Sequence, residues 1–286
     1  MYTKMQHTPF TQLSEDLIPL YGEGEARSIA RIVIQDAFKA WDFHSFLCTT
    51  QEQTSQLEQI SNQLLQGEPV QYVLGQADFF GLKFKVTPAV LIPRQETEEL
   101  VAAVLEIIPK NHPPLRLLDI GLGTGCIGIT LKYKRPGVQL FGFEKSPEAL
   151  LIAETNATQI LGAGKVHFSL TDILTQQPAI GEQYDIIVSN PPYIPRHEAT
   201  LMPRHVLEHE PEMALFVDHE DPLLFYRVIA EYARLTLLPG GALFFECNEF
   251  NASEVAPLLT QLHFEHVHLR KDLNGADRIV HAVYSH

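Results

Sequence analysis

Apolar positions in the first quarter of the chain recur at helical spacing. Leu13, Leu17 and Tyr21 stand four apart, and Ile29, Val33 and Ala37 resume that spacing after Gly22-Glu23-Gly24, which predicts a break between two helices. A third stripe, Leu57, Ile60 and Leu64, ends at Gly67 and Pro69, so residues 1–68 are expected to form a helical N-terminal domain. The period then drops to two. Leu82, Phe84 and Val86 alternate with Lys83 and Lys85, after Phe79-Phe80 and a Gly81 turn, which predicts a β-hairpin connector over 69–92.

From residue 93 to 286 strand and helix patterns alternate. Strands are expected at 115–120, 138–144, 166–170, 184–188, 242–246, 264–269 and 278–284, with helices at 96–108, 126–133, 147–160, 221–237 and 251–262. That order predicts an α/β fold with a doubly wound, mostly parallel, Rossmann-like sheet of seven strands. The stretch from Ile194 to Asp221, rich in prolines and acids, is expected to be a long loop, either with a gating or partner-binding role or as a solvated insertion.

Composition narrows the class. Hydrophobic residues make up 45% of 286 and charged residues 20%, as in ordinary globular chains, and no apolar run nears the roughly 20 residues of a membrane helix. The start, MYTKMQHTPF, lacks the features of an export or transit signal, and Cys48, Cys126 and Cys247 lie too far apart for a zinc or disulfide framework. A soluble, cytoplasmic protein without membrane partners is expected. The net charge of -14 opposes a phosphate backbone, so direct binding of nucleic acid is not expected. His205 and His209 have i, i+4 spacing but not the H-E-x-x-H order, and no metal site is expected.

Candidate chemistry clusters where strands end. After the 115–120 strand, Gly121-Leu122-Gly123-Thr124-Gly125 places glycines at alternate positions, where the backbone turns sharply and a ligand approaches it closely; a dinucleotide, a methyl donor or a bare turn each fits. Glu144 ends the next strand, about 20 residues on, where a carboxylate can accept both hydroxyls of a ribose, with a solvated strand-end carboxylate as the alternative reading. Thr171-Asp172 lies on the same rim, with a helix cap as the alternative reading of Asp172. Cys126, next to the glycines, reads as a small residue fitting a tight loop rather than a reactive thiol.

The most specific signal is Asn190-Pro191-Pro192-Tyr193, after the apolar strand Ile186-Ile187-Val188. An amide nitrogen is a poor nucleophile because its lone pair is delocalised. The Asn190 side-chain oxygen and the Pro191 carbonyl are two acceptors that can orient it, two prolines hold them in place, and Tyr193 is expected to stack on the planar group.

These motifs resemble the class I methyltransferases with an N-P-P-Y signature, and specifically the release factor glutamine methyltransferases. The likeness extends to Gly67-Glu68-Pro69-Val70-Gln71-Tyr72, Phe79-Phe80-Gly81, Leu91-Ile92-Pro93-Arg94 with Glu96-Thr97-Glu98, Glu210-Pro211 with Ala214-Leu215, and Asp272-Leu273 with Gly275, Asp277 and Arg278. It implies S-adenosylmethionine as donor, converted to S-adenosylhomocysteine. It further implies transfer to the glutamine of the Gly-Gly-Gln loop of class I peptide-chain release factors, and an N-terminal domain that helps recognise that partner. It places the donor on Gly121, Leu122, Gly123, Thr124, Gly125, Glu144, Asp172 and Ile173, with Asn190 at their edge, and the substrate amide on Asn190, Pro191, Pro192 and Tyr193. The chain departs from the usual pattern at Gln95, Leu122, Glu144 and Ile173, and Glu246–Asn251 lacks an expected glycine and glutamine. The alternatives are methylation of the exocyclic amine of adenine in DNA or RNA, which suits the same clamp, and a donor- or partner-binding module without catalysis.

Overall fold

The computed structural model describes residues 8–110, 113–176, 181–202, 204–217, 221–249 and 251–285, apart from the side chains of His197, Leu201, Arg204 and His205. The chain divides into two compact units, Met1–Gln76 with Arg204–His209, and Ala77–Pro203 with Glu210–His286.

The first unit is helical. Helix α1 (Pro9–Phe38) is capped by Thr8 and broken at Gly22, whose φ of 76° and ψ of 165° only glycine adopts freely, in the region where the sequence places the break. Helix α2 (Gln51–Leu65) follows, capped by Thr50. Leu13, Leu17, Ile29, Val33, Ile60 and Leu64 meet in one buried cluster, and the Tyr21 hydroxyl donates to the Leu64 carbonyl at 3.0 Å. Val70–Leu74 forms a further short helix, α3, ended by Gly75 in the left-handed region. This stretch, within the predicted connector, is therefore not extended. Val70 is drawn into the helical core, and the hairpin is confined to β1 (Gln76–Phe79) and β2 (Leu82–Lys85).

The second unit is built on a seven-stranded sheet. Its elements are α4 (Gln95–Ile107), β3 (Leu115–Ile120), α5 (Cys126–Lys134), β4 (Val138–Glu144), α6 (Pro147–Leu161), β5 (Val166–Leu170) and β6 (Tyr184–Ser189). After a segment of short elements come α9 (Leu224–Thr236), β9 (Leu237–Glu246), α10 (Ala252–Gln261), β10 (Glu265–Lys271) and β11 (Asp277–Val283). The spatial order is β10-β11-β9-β6-β3-β4-β5, with β11 antiparallel to both neighbours and the other described pairings parallel. Central strands are apolar on both faces because helices cover both. Leu117, Ile186, Val188 and Phe244 pack into the cluster that includes α4 and α5, whereas Leu118, Ile187, Leu243 and Phe245 pack into that of α9 and α10.

The expected long loop is instead a chain of short elements. They are β7 (Ile194–Pro195), a 3-10 turn (Arg196–Leu201), α7 (Arg204–His209), α8 (Glu212–Leu215) and β8 (Phe216–Val217). Buried Leu215, Phe216 and Val217, and the parallel pairing of β7 with β8, give it the apolar anchors that a structureless loop lacks. Helix α7 belongs to the helical unit, with Val206 buried. Among the described residues no helix is long and apolar enough to cross a membrane.

Candidate active site

Strands β3 and β6 are parallel neighbours, and their register pairs Ile120 with Ser189. The Ser189 hydroxyl donates to the Ile120 carbonyl at 2.7 Å, which ties the two strand ends together. The residues that follow each, the glycine turn and Asn190, therefore leave the sheet at the same edge. It is also where the chain order reverses, β4 and β5 lying to one side and β6 and β9 to the other, the position at which open sheets bind ligands.

One cavity opens there. Gly121, Leu122, Gly123, Thr124, Glu144, Asp172, Ile173, Asn190, Pro191 and Pro192 all line it, joined by Arg94, Thr97, Cys126, Met213 and Ala214. Gly121 and Gly123 have φ of 80° and 53°, and a Cβ at either would point into open space, so bare backbone faces a region that a ligand can fill. Gly125 lies outside the lining. It caps α5 with φ 76°, and a Cβ there would stand 2.6 Å from Ile129 Cδ1.

Glu144 holds this loop. Its Oε2 accepts the Gly123 N–H at 2.8 Å and its Oε1 accepts the Ser146 N–H at 2.9 Å, leaving further lone pairs for hydroxyl donors. Asp172 caps the turn that follows β5 and lines the cavity. Its Oδ1 accepts the Leu174 N–H at 3.0 Å as a turn cap, its Oδ2 pairs with Lys145 at 3.2 Å, and it still faces the cavity. Burial pushes the Cys126 thiol up to about 12, consistent with an inert residue at the tight turn.

At the Asn-Pro-Pro-Tyr corner, Asn190, Pro191 and Pro192 reach the cavity wall but Tyr193 does not. Its ring packs against the apolar cluster of the α9 and α10 face, and burial drives its hydroxyl well above the usual range. This packing anchors the corner to the core of the sheet.

Several residues here have partners that the sequence does not reveal. Buried Asn156 on α6 accepts the Lys85 N–H at 2.7 Å and donates to the carbonyls of Lys85 and Thr124 at 3.1 and 2.9 Å, joining the hairpin to the glycine loop. Buried Asp119 accepts the Gly128 N–H at 2.9 Å, and burial raises its carboxyl to about 8. Glu210, with 1% of its side chain exposed, accepts the Ile92 N–H at 3.2 Å and pairs with Arg94 at 2.5 Å. Asn190 Nδ2 donates to Thr97 Oγ1 at 3.3 Å, and Thr97 donates to Glu246 Oε2 at 2.7 Å. A lone buried Asn, Asp or Glu announces itself in a sequence only when its partner is near, and Thr97 and Glu246 are 149 residues apart. Of the atypical segment, Glu246, Cys247 and Asn248 are buried, and Phe250 lies outside the described residues, as does the side chain of His205.

Known proteins resemble this chain in sequence and fold. Residues 94–212 match the methyltransferase small domain model. The release factor glutamine methyltransferase of Bacteroides thetaiotaomicron is 44% identical over 228 residues, 79% of this chain and 80% of that one. The protein of the same name from Flavobacterium psychrophilum is 37% identical over 276 residues, 94% of this chain and 96% of that one. A methyltransferase from Pyrococcus furiosus, with a TM-score of 0.53 at 16% identity over 73% of this chain and 91% of that one, shares the fold. Identity at this level over most of both chains shows that the protein belongs to the release factor glutamine methyltransferase family.

Proposed function

We propose that this protein transfers a methyl group from S-adenosylmethionine to the side-chain amide nitrogen of the glutamine in the Gly-Gly-Gln loop of peptide-chain release factors. The observation that carries this reading is the shared cavity. The exposed backbone of Gly121 and Gly123, the Glu144 carboxylate and the amide-orienting corner at Asn190 and Pro191 face one space.

Gly121–Thr124, Glu144, Asp172 and Ile173 are the residues that would hold the donor. Glu144 offers its remaining lone pairs to ribose hydroxyls, while the open side of the glycine turn takes the rest of the nucleoside. Bound there, the donor supplies an electrophilic methyl group on a sulfonium. The Asn190 side-chain oxygen and the Pro191 carbonyl each accept one N–H of the substrate amide and hold its nitrogen for attack; Pro191 and Pro192 keep these acceptors preorganised. Tyr193 anchors the corner from below. No strong general base is needed, because the nitrogen becomes acidic once it has attacked. The helical unit is assigned a part in recognising the release factor.

The test is methyl transfer from labelled S-adenosylmethionine to a purified release factor and, in parallel, to duplex DNA. Label on the protein alone supports the reading, and label on DNA alone overturns it in favour of adenine methylation.

A further inference from the structure

A side-chain amide has two ends, and only one suits a substrate rich in donors. The glutamine amide nitrogen presents two N–H groups, so the group that orients it must offer oxygen; an Asn190 side chain rotated about its last bond would offer N–H and repel it. The two orientations occupy nearly the same volume, so packing alone discriminates poorly between them.

Thr97 supplies the discrimination together with Glu246, which also takes a hydrogen bond directly from the Asn190 side chain. Thr97 stands in the first turn of α4, is 3% exposed, lines the cavity, and meets both Asn190 and Glu246 through one hydroxyl. A hydroxyl has one proton. With that proton directed at the Glu246 carboxylate, only lone pairs remain for Asn190, and these accept the amide nitrogen but not the amide oxygen. Glu246 is well placed to hold the proton. It is 1% exposed at the end of β9, and its charged neighbours are Arg278, which favours the carboxylate, and Glu96, which opposes it.

We infer that Glu246 and Thr97 form a positioning relay that locks the Asn190 amide with its nitrogen inward and its oxygen toward the substrate, setting the rate of transfer to a primary amide. The inference rests on the assignment of Asn190 as the amide clamp and adds two residues, from α4 and β9, that never need to touch the substrate.

Thr97→Val keeps the volume and removes both hydrogen bonds, and Thr97→Ser restores both. In steady-state assays with a release factor, Thr97→Val is expected to lower kcat roughly 10- to 100-fold, with the KM for release factor and the calorimetric Kd for S-adenosylmethionine within about threefold of wild type. Thr97→Ser is expected to recover most of the lost kcat. A Thr97→Val protein that melts like wild type and turns over like it overturns the relay. So does an equal loss in the Val and Ser variants, which would mark a packing role for the methyl group. Should Thr97→Val fail to fold, Thr97→Ala, which also removes both hydrogen bonds, is read by the same criteria. Asn190→Ala in the same assay separates the two ideas. If it retains full turnover the clamp itself fails, whereas if it is inactive while Thr97→Val is normal, only the relay fails.

Discussion

Gly123 donates its main-chain N–H to Glu144 Oε2 at 2.8 Å, joining the turn after β3 to the end of the neighbouring strand β4. The carboxylate that we propose receives a ribose thus also holds the glycine loop. Glu144→Ala removes both contributions. Hydrogen bonds to a charged group contribute about 1.5–3 kcal/mol, so the donor Kd should weaken by about 10- to 100-fold in titration calorimetry. An unchanged Kd would mean that the donor lies elsewhere.

Leu122 packs over Gly142 in the middle of β4. A Cβ at 142 would stand 2.5 Å from Leu122 Cδ2 and 2.8 Å from Phe168 Cδ1, contacts that require the neighbours to move. Gly142→Ala is therefore expected to cost about 1–3 kcal/mol of stability in denaturant titrations. Adding Leu122→Ser should return part of that loss, because the clash and the bulky side chain occupy the same space. Strict additivity of the two changes would contradict the coupling.

This pair also shows where legibility in the sequence ends. Leu122 is visible as a departure from the family pattern, but the glycine that accommodates it sits on another strand, and nothing in local spacing connects them. Periodicity located the central strands β3 and β6 to within a few residues because both faces are buried and both demand apolar side chains. It placed β9 too late, at 242, since Pro239-Gly240-Gly241 reads as a turn whereas the strand runs from Leu237, with register pairs Tyr184–Leu237 and Ile186–Ala242 on either side of an irregularity. It also missed α3 and the short elements between β6 and α9, which are too brief to show a period. Of the candidate site, the glycine turn, Glu144 and Asn190–Pro192 were readable as motifs. Thr97 was readable only as part of a family motif, Glu246 only as the start of an atypical segment, and Asn156 not at all, because their roles arise from partners far along the chain.

Glu246 gives a pH dependence with a definite sign. Burial lifts its carboxyl from an ordinary value near 4.5 to about 7, against the lowering effect of Thr97 and Arg278. The folded state therefore binds the proton more tightly than the unfolded state. The resulting stability is fully present below about pH 4.5 and is lost as pH rises through 7. The change is on the order of 3 kcal/mol. Glu246→Gln should abolish it, so that between pH 4.5 and 8 the variant gains on wild type by that order in chemical denaturation. A constant difference between the two proteins would refute the assignment. The ionised form that is costly at pH 8 is the one that accepts the Thr97 proton, so stability is given up where the relay is best formed.

The central claim is that the corner at Asn190 presents a glutamine amide to a methyl donor held on the glycine turn. Tandem mass spectrometry of a release factor, after incubation with this protein and S-adenosylmethionine, tests it most directly. A single methyl group is expected on the side-chain nitrogen of the Gly-Gly-Gln glutamine. A methyl group on any other residue, or an unmodified release factor despite measurable donor binding, would contradict it.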